Sequence, residues 1–147
     1  MGLEELTNET ESLVSQLKGA KSIAVTSHLE RMADADSLIC EKIIELAAPD
    51  ATVYCMLDPS SVSDDAYAIM DRFNIKYHDI GEPLPADPDL LVFVDCQYEP
   101  GVSLLPKVQG SGDEGARELD IEKVPIVVRD HHKKKAYSNG KEGSEAQ

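Results

Sequence analysis

The residues of this chain that could do chemistry sit directly after apolar runs. The run SIAVTS (22–27) is followed by His28 and then, within HLERMADADS, by Asp34, Asp36 and Ser37. The run LLVFVD (90–95) ends on Asp95, and PIVVR (125–129) leads straight into Asp130-His131-His132. Imidazole nitrogens and carboxylate oxygens without thiolates make a donor set that suits Mn²⁺, Fe²⁺, Co²⁺ or Zn²⁺ in an activating role, not a closed structural zinc site. Two such ions about 3.5 to 4 Å apart clamp the attacking and leaving oxygens of an in-line attack on phosphorus. A carboxylate at the tip of a central strand, such as Asp95, is placed to bridge them.

Each feature taken singly has a plainer meaning. A lone His28 reads as a capping or core histidine, and Asp34 with Asp36 reads as a pair favoured by a helix N-terminus. His78, apart from the rest, reads as structural. Lys133, Lys134 and Lys135 read as a solvated run or, beside the two histidines, as an attraction for phosphate. The three donor segments occurring together, each after an apolar run, favour a metal site.

Those segments need elements to position them. Leu3, Leu6, Leu13 and Leu17 share one side of a helical wheel, so a helix is expected over about 3–18, ending at Gly19. Residues 22–27 read as a buried strand, 36–48 as a helix stopped by Pro49, and 52–57 as a second strand. Ser63 is placed as an N-cap with Asp64 and Asp65 in the first turn, and Ala66, Ile69, Met70 and Phe73 form the apolar stripe of a third helix. Residues 75–78 suggest a short strand, 81–89 a Pro-rich loop, 90–95 and 125–129 strong strands. The Gly-rich stretch containing Gly101, Gly110, Gly112 and Gly115 and the charged DEGARELD reads as an exposed, mobile excursion. Strands separated by helices, without hairpin turns, predict an α/β fold: a three-layer, mostly parallel sheet with helices on both faces. In such sheets ligands bind beyond the carboxyl ends of the strands, where these donors fall.

Length and composition bound the rest. The 147 residues fit one domain, expected over 1–137, with 138–147 as a flexible tail. With 28 acidic against 14 basic residues the formal charge is −14, which excludes a broad surface that grips nucleic acid by neutralising phosphates. No apolar stretch approaches the roughly 20 residues a spanning helix needs, and the acidic start MGLEELTNETE is unlike a signal peptide, so no membrane partner and a cytoplasmic location are expected. Cys40, Cys55 and Cys96 are widely spaced within apolar segments and read as buried free thiols. Homo-oligomerisation is compatible with all of this.

In that order, a strand, His28, DADS opening a helix, VDC at a strand end and VVRDHH at another, the chain resembles the DHH phosphoesterase superfamily over roughly residues 20–135. That superfamily includes RecJ-type exonucleases, oligoribonucleases, cyclic-dinucleotide phosphodiesterases and family II inorganic pyrophosphatases. The resemblance implies a DHH N-terminal domain and two Mn²⁺ or other divalent ions. It implies His28 and Asp34 as ligands of the first ion, Asp36 and His131 as ligands of the second, and Asp95 as the bridge. It implies His132 facing a substrate phosphate and Asp130 orienting the histidines. The implied substrate is a short oligonucleotide, a cyclic dinucleotide or another small phosphate ester. The family spaces its first His and Asp as HxxxD, whereas His28 and Asp34 are six apart. About fifteen residues follow Asp-His-His, with no candidate for the family's fourth acidic ligand or its downstream domain. The chain is accordingly expected to be either a piece of a longer enzyme or a short, non-catalytic relative that binds a nucleotide or a protein partner.

Overall fold

The computed structural model describes residues 3–28, 33–100, 103–112 and 114–129, with side chains from residue 11 onward. Helix α1 (Leu3–Gly19) turns Leu13 and Leu17 inward and carries Lys18 in its last turn, where the helix dipole favours a cation. Strand β1 (Ser22–Thr26) follows, then α2 (Ala35–Ala47), which stops where Pro49 offers no N–H to continue the ladder. Strand β2 (Thr52–Leu57) leads through a 3₁₀ turn at Pro59–Ser61 into α3 (Asp64–Arg72). The cap expected at Ser63 is present, its Oγ accepting from the Ala66 N–H at 3.1 Å.

The end of α3 is closed by a Schellman motif. Asn74 takes a left-handed φ of 53°, Ile75 N–H donates to Met70 O at 2.8 Å, and Asn74 N–H donates to Asp71 O at 3.3 Å. Ile75 and Met70 also pack in one apolar cluster, the contact that usually accompanies this motif. Strands β3 (His78–Asp79), β4 (Leu90–Val94), β5 (Lys107–Val108), β6 (Arg117–Glu118) and β7 (Ile126–Arg129) complete the described chain.

Five strands form one sheet in the order β3-β2-β1-β4-β7, with every neighbouring pair parallel. Strand residues alternate between its two faces. Ile23, Val25, Cys55, Leu57, Val92 and Val127 lie on the face covered by α1, α2 and α3. Ala24, Met56, Leu91 and Phe93 point the other way, and there Leu84, Val108, Leu119 and Val124 cover them. No helix of the described residues is long and apolar enough to cross a membrane.

This arrangement is α/β, as the strand and helix alternation predicts, but the expectation of helices on both faces is not met among the described residues. The chain moves outward from β1 to β2 and β3, then returns to the far side of β1 as β4 and continues to β7. After such a reversal a right-handed crossover must pass over the opposite face. The connections that do so contain Pro83, Pro85, Pro88, Pro100 and Pro106 and several glycines, which cannot sustain a helix. The stretch read as an exposed excursion is therefore the cover of the second face. Its β5–β6 ribbon is antiparallel, Leu84 N–H donates to Lys107 O and Gln109 N–H to Leu84 O, each at 2.8 Å, and Val108 is fully buried. Gly110 is required at the ribbon's turn, where a Cβ would lie 2.2 Å from the Gly115 carbonyl. Arg117 closes the assembly with a two-pronged pair to Asp87 at 2.8 and 3.2 Å. The tail 138–147 lies outside the described residues.

Candidate functional site

The strand order reverses between β1 and β4, and an open parallel sheet has its natural crevice at that switch point, beyond the carboxyl ends of the two strands. Ser27 and His28 leave the sheet there from β1, and Asp95 leaves it from β4. Residues Thr26 and Phe93 are paired in register, so the two exits are side by side. On the other side of β4, Val94 pairs with Arg129, and Asp95 N–H donates to Arg129 O at 2.9 Å. Arg129 is the residue directly before Asp130.

Asp95 stands out in its backbone. Its φ is +57°, in the left-handed region that costs an L-residue energy, and only 5% of its surface is exposed. Asp tolerates this region better than most residues, yet a buried acid held there at a strand end is a strained and costly arrangement.

Helix α2 begins on the same edge because it is the connection that follows β1. Asp34 is its N-cap in backbone terms, with an extended conformation and its carbonyl accepting from Leu38 N–H at 3.0 Å, but its side chain makes no capping hydrogen bond. Asp34 and Asp36 are both exposed, and Asp36 lies in the first turn of α2. One turn further along, the half-buried Cys40 thiol is pushed above its ordinary value, first by burial and then by the carboxylates of Asp95, Asp36 and Glu41.

His28, Asp34, Asp36 and Asp95 thus all follow the carboxyl edge of the sheet. Among the described residues, no group of three or more His, Cys, Asp or Glu side chains converges closely enough to hold one ion. Asp130, His131 and His132, assigned to this edge by their sequence position, lie outside the described residues. His78 is structural, as expected: its ring meets Tyr54 edge-on at 5.4 Å and its Nε2 lies 3.0 Å from Glu82 O. The three cysteines are free and at least partly buried.

The sequence reading missed a polar line under α2. Ser27, Ser37 and Glu41 are 1%, 0% and 2% exposed, respectively. Glu41 Oε2 accepts a hydrogen bond from the Cys55 thiol, and burial holds the Glu41 carboxyl well above the usual carboxylate range, against the lowering effect of that bond. The Cys55 thiol is raised in turn, by burial and by its acidic neighbours Glu41 and Glu45. The signal was available: Glu41 falls three residues after Leu38 and three before Ile44, within the stripe that faces the sheet. Ile43 and Leu46, apolar residues of the same helix, are exposed. No family model, curated protein or solved structure matches this chain.

Proposed function

We propose that this chain is a phosphoesterase-type domain of the DHH kind that its motifs resemble. Its substrate is a phosphodiester or small phosphate ester, such as a short oligonucleotide or a cyclic dinucleotide, bound beyond the carboxyl ends of β1 and β4. The observation that carries this reading is Asp95, a buried carboxylate in a left-handed conformation at the end of β4, beside the switch point. Strain of this kind persists where the surroundings over-determine it, and it concentrates at functional sites.

The donor chemistry suits Mn²⁺ or another divalent cation. Asp34 has no capping duty to compete for its carboxylate, Asp36 is exposed two residues on, and Asp95 ends the neighbouring run at β4. His28, Asp34, Asp36, Asp95 and His131 would hold the metal, with His132 toward the substrate phosphate and Asp130 orienting the histidines. Bound there, divalent cations supply neutralising charge to the phosphoryl group and an acidified water. The chain's own charge sets the rest of the environment: the net charge of −14 disfavours long polyanions relative to small esters.

The spacing of His28 and Asp34, two residues longer than the resembled HxxxD pattern, supports a second reading, a non-catalytic domain that keeps the fold and binds a nucleotide or protein partner. Calorimetric titration and melting in millimolar Mn²⁺, followed by assays on bis(p-nitrophenyl) phosphate and a linear dinucleotide, separate the two. Heat of binding, a raised melting temperature and Mn²⁺-dependent turnover support the hydrolase. Binding without turnover supports the second reading, and neither heat nor a melting shift removes the metal site altogether.

A further inference from the structure

Three buried oxygens lie along one interface, and each lacks a hydrogen-bond partner among the described residues: Ser27 Oγ, Ser37 Oγ and Glu41 Oε1. Such atoms are rare in folded proteins because leaving a polar group dry and unpaired is costly. Their positions are related by the fold. Ser37 and Glu41 are four residues apart on α2, so they stack on one face of the helix, one turn apart. That face is turned to the sheet, since Ile44 further along it packs with Ile23 and Val25. By strand alternation Ser27 follows Ile23 and Val25 onto the same side, just beyond the end of β1 and under the first turn of α2.

The proton inventory of these atoms is complementary. Glu41 Oε2 already accepts from the Cys55 thiol, so in the neutral carboxyl Oε1 is the atom that carries the proton and requires an acceptor. The two serine hydroxyls can each donate or accept. A water needs two to four polar partners to occupy an interior site stably, and these three oxygens supply that number along one interface.

We propose that a structural water is bound between β1 and α2 by Ser27, Ser37 and Glu41, tying the first turn of α2 to the end of β1 and joining Glu41 to the carboxyl edge of the sheet. The water accepts from Glu41 Oε1–H and donates to the serine hydroxyls, so no buried polar atom of the three is left dry. This site does not depend on a metal or on the hydrolase reading. Glu41 is hydrogen-bonded by Cys55 from β2, and Cys55 belongs to an apolar cluster with Leu38 of α2, Leu57 of β2 and Ala66 and Met70 of α3.

The test is NMR on the folded chain in the presence of EDTA, with glutamate carboxyls ¹³C-labelled and Glu41 assigned by the loss of its signal in Glu41→Gln. A long-lived water should give cross-relaxation to the Ser37 and Glu41 side-chain protons. Ser37→Ala should abolish that contact and move the Glu41 titration midpoint upward by about half a pH unit or more, because the ionised carboxylate loses hydration. Ser27→Ala should act in the same direction, and an unchanged amide spectrum elsewhere shows that both variants fold. The proposal is overturned if no long-lived water contacts Glu41, or if the water contact and the midpoint are the same in both serine variants as in the parent.

Discussion

Replacing Glu41 by Gln should stabilise this protein at neutral pH, and should do so increasingly as pH rises. Glu41 is 2% exposed and its carboxyl is held well above the ordinary range chiefly by burial. The unfolded chain ionises it near pH 4.3, while the folded chain keeps it neutral to a higher pH. Below the unfolded value both states are protonated and the group costs nothing. Above it the unfolded state gains from ionisation and the folded state does not, so folding stability falls by about 1.4 kcal/mol for each pH unit until the native midpoint is reached. Glu41→Gln removes that slope. The amide oxygen still accepts from the Cys55 thiol, and the amide NH₂ replaces the proton-bearing Oε1 as a donor. Urea unfolding of both proteins between pH 4 and pH 8, followed by circular dichroism because the chain has no Trp, gives the difference directly. The two should be within about 1 kcal/mol of each other near pH 4 and should diverge above it. Asp87, lowered chiefly by its hydrogen bond from Arg117, contributes a slope of the opposite sign, with stability lost as pH falls, but it is present in both proteins and cancels. Parallel stability curves across this range would refute the claim that Glu41 is buried as a neutral acid.

Asp95→Asn retains a side chain that tolerates the left-handed backbone while removing the charge, so Mn²⁺ affinity measured by calorimetry should fall 10-fold or more with the fold intact. Unchanged affinity would take Asp95 out of the proposed site. Phe93 is 1% exposed in the cluster of the second face, with Tyr98 5.2 Å away between ring centres. Phe93→Ala should therefore cost about 3–5 kcal/mol in denaturant unfolding, and a loss below about 1 kcal/mol would mean that the loops and ribbon do not seal that face.

Legibility followed the physics of each element. Strands β1 and β4 are short apolar, β-branched runs buried on both faces, and β2 is buried over its last three residues, which is the pattern a central parallel strand produces. The third helix was legible because Ser63 and Asp64–Asp65 mark its start and Ala66, Ile69 and Met70 repeat at helical spacing, whereas Phe73, read as the end of that stripe, is its exposed C-cap. The ribbon was not, since β5 and β6 are two residues each and owe their pairing to contacts with Leu84 and Asp87, far away in sequence. The position of the candidate donors at strand ends was readable from the order of runs and polar residues. The backbone strain at Asp95 and the inward turn of Glu41 were not, because both are set by how α2 and β4 seat on their neighbours.

The last strand shows how narrowly the edge that carries the site is specified. β7 has four residues, and its only partner among the described strands is β4, so its register rests on Leu91–Ile126, Val92–Val127, Phe93–Val128 and Val94–Arg129. Side-chain alternation decides that register: Val127 belongs to the helical face, while Ile126 and Val128 pack on the second face beside Phe93. A slip by one residue would exchange these sets, moving Val127 out of the cluster formed with α1 and α2 and sending two larger commitments into it. It would also displace the Arg129 carbonyl from the Asp95 N–H and so shift the point at which the chain leaves the sheet before Asp130. The packing of three modest side chains thus fixes which backbone group meets Asp95.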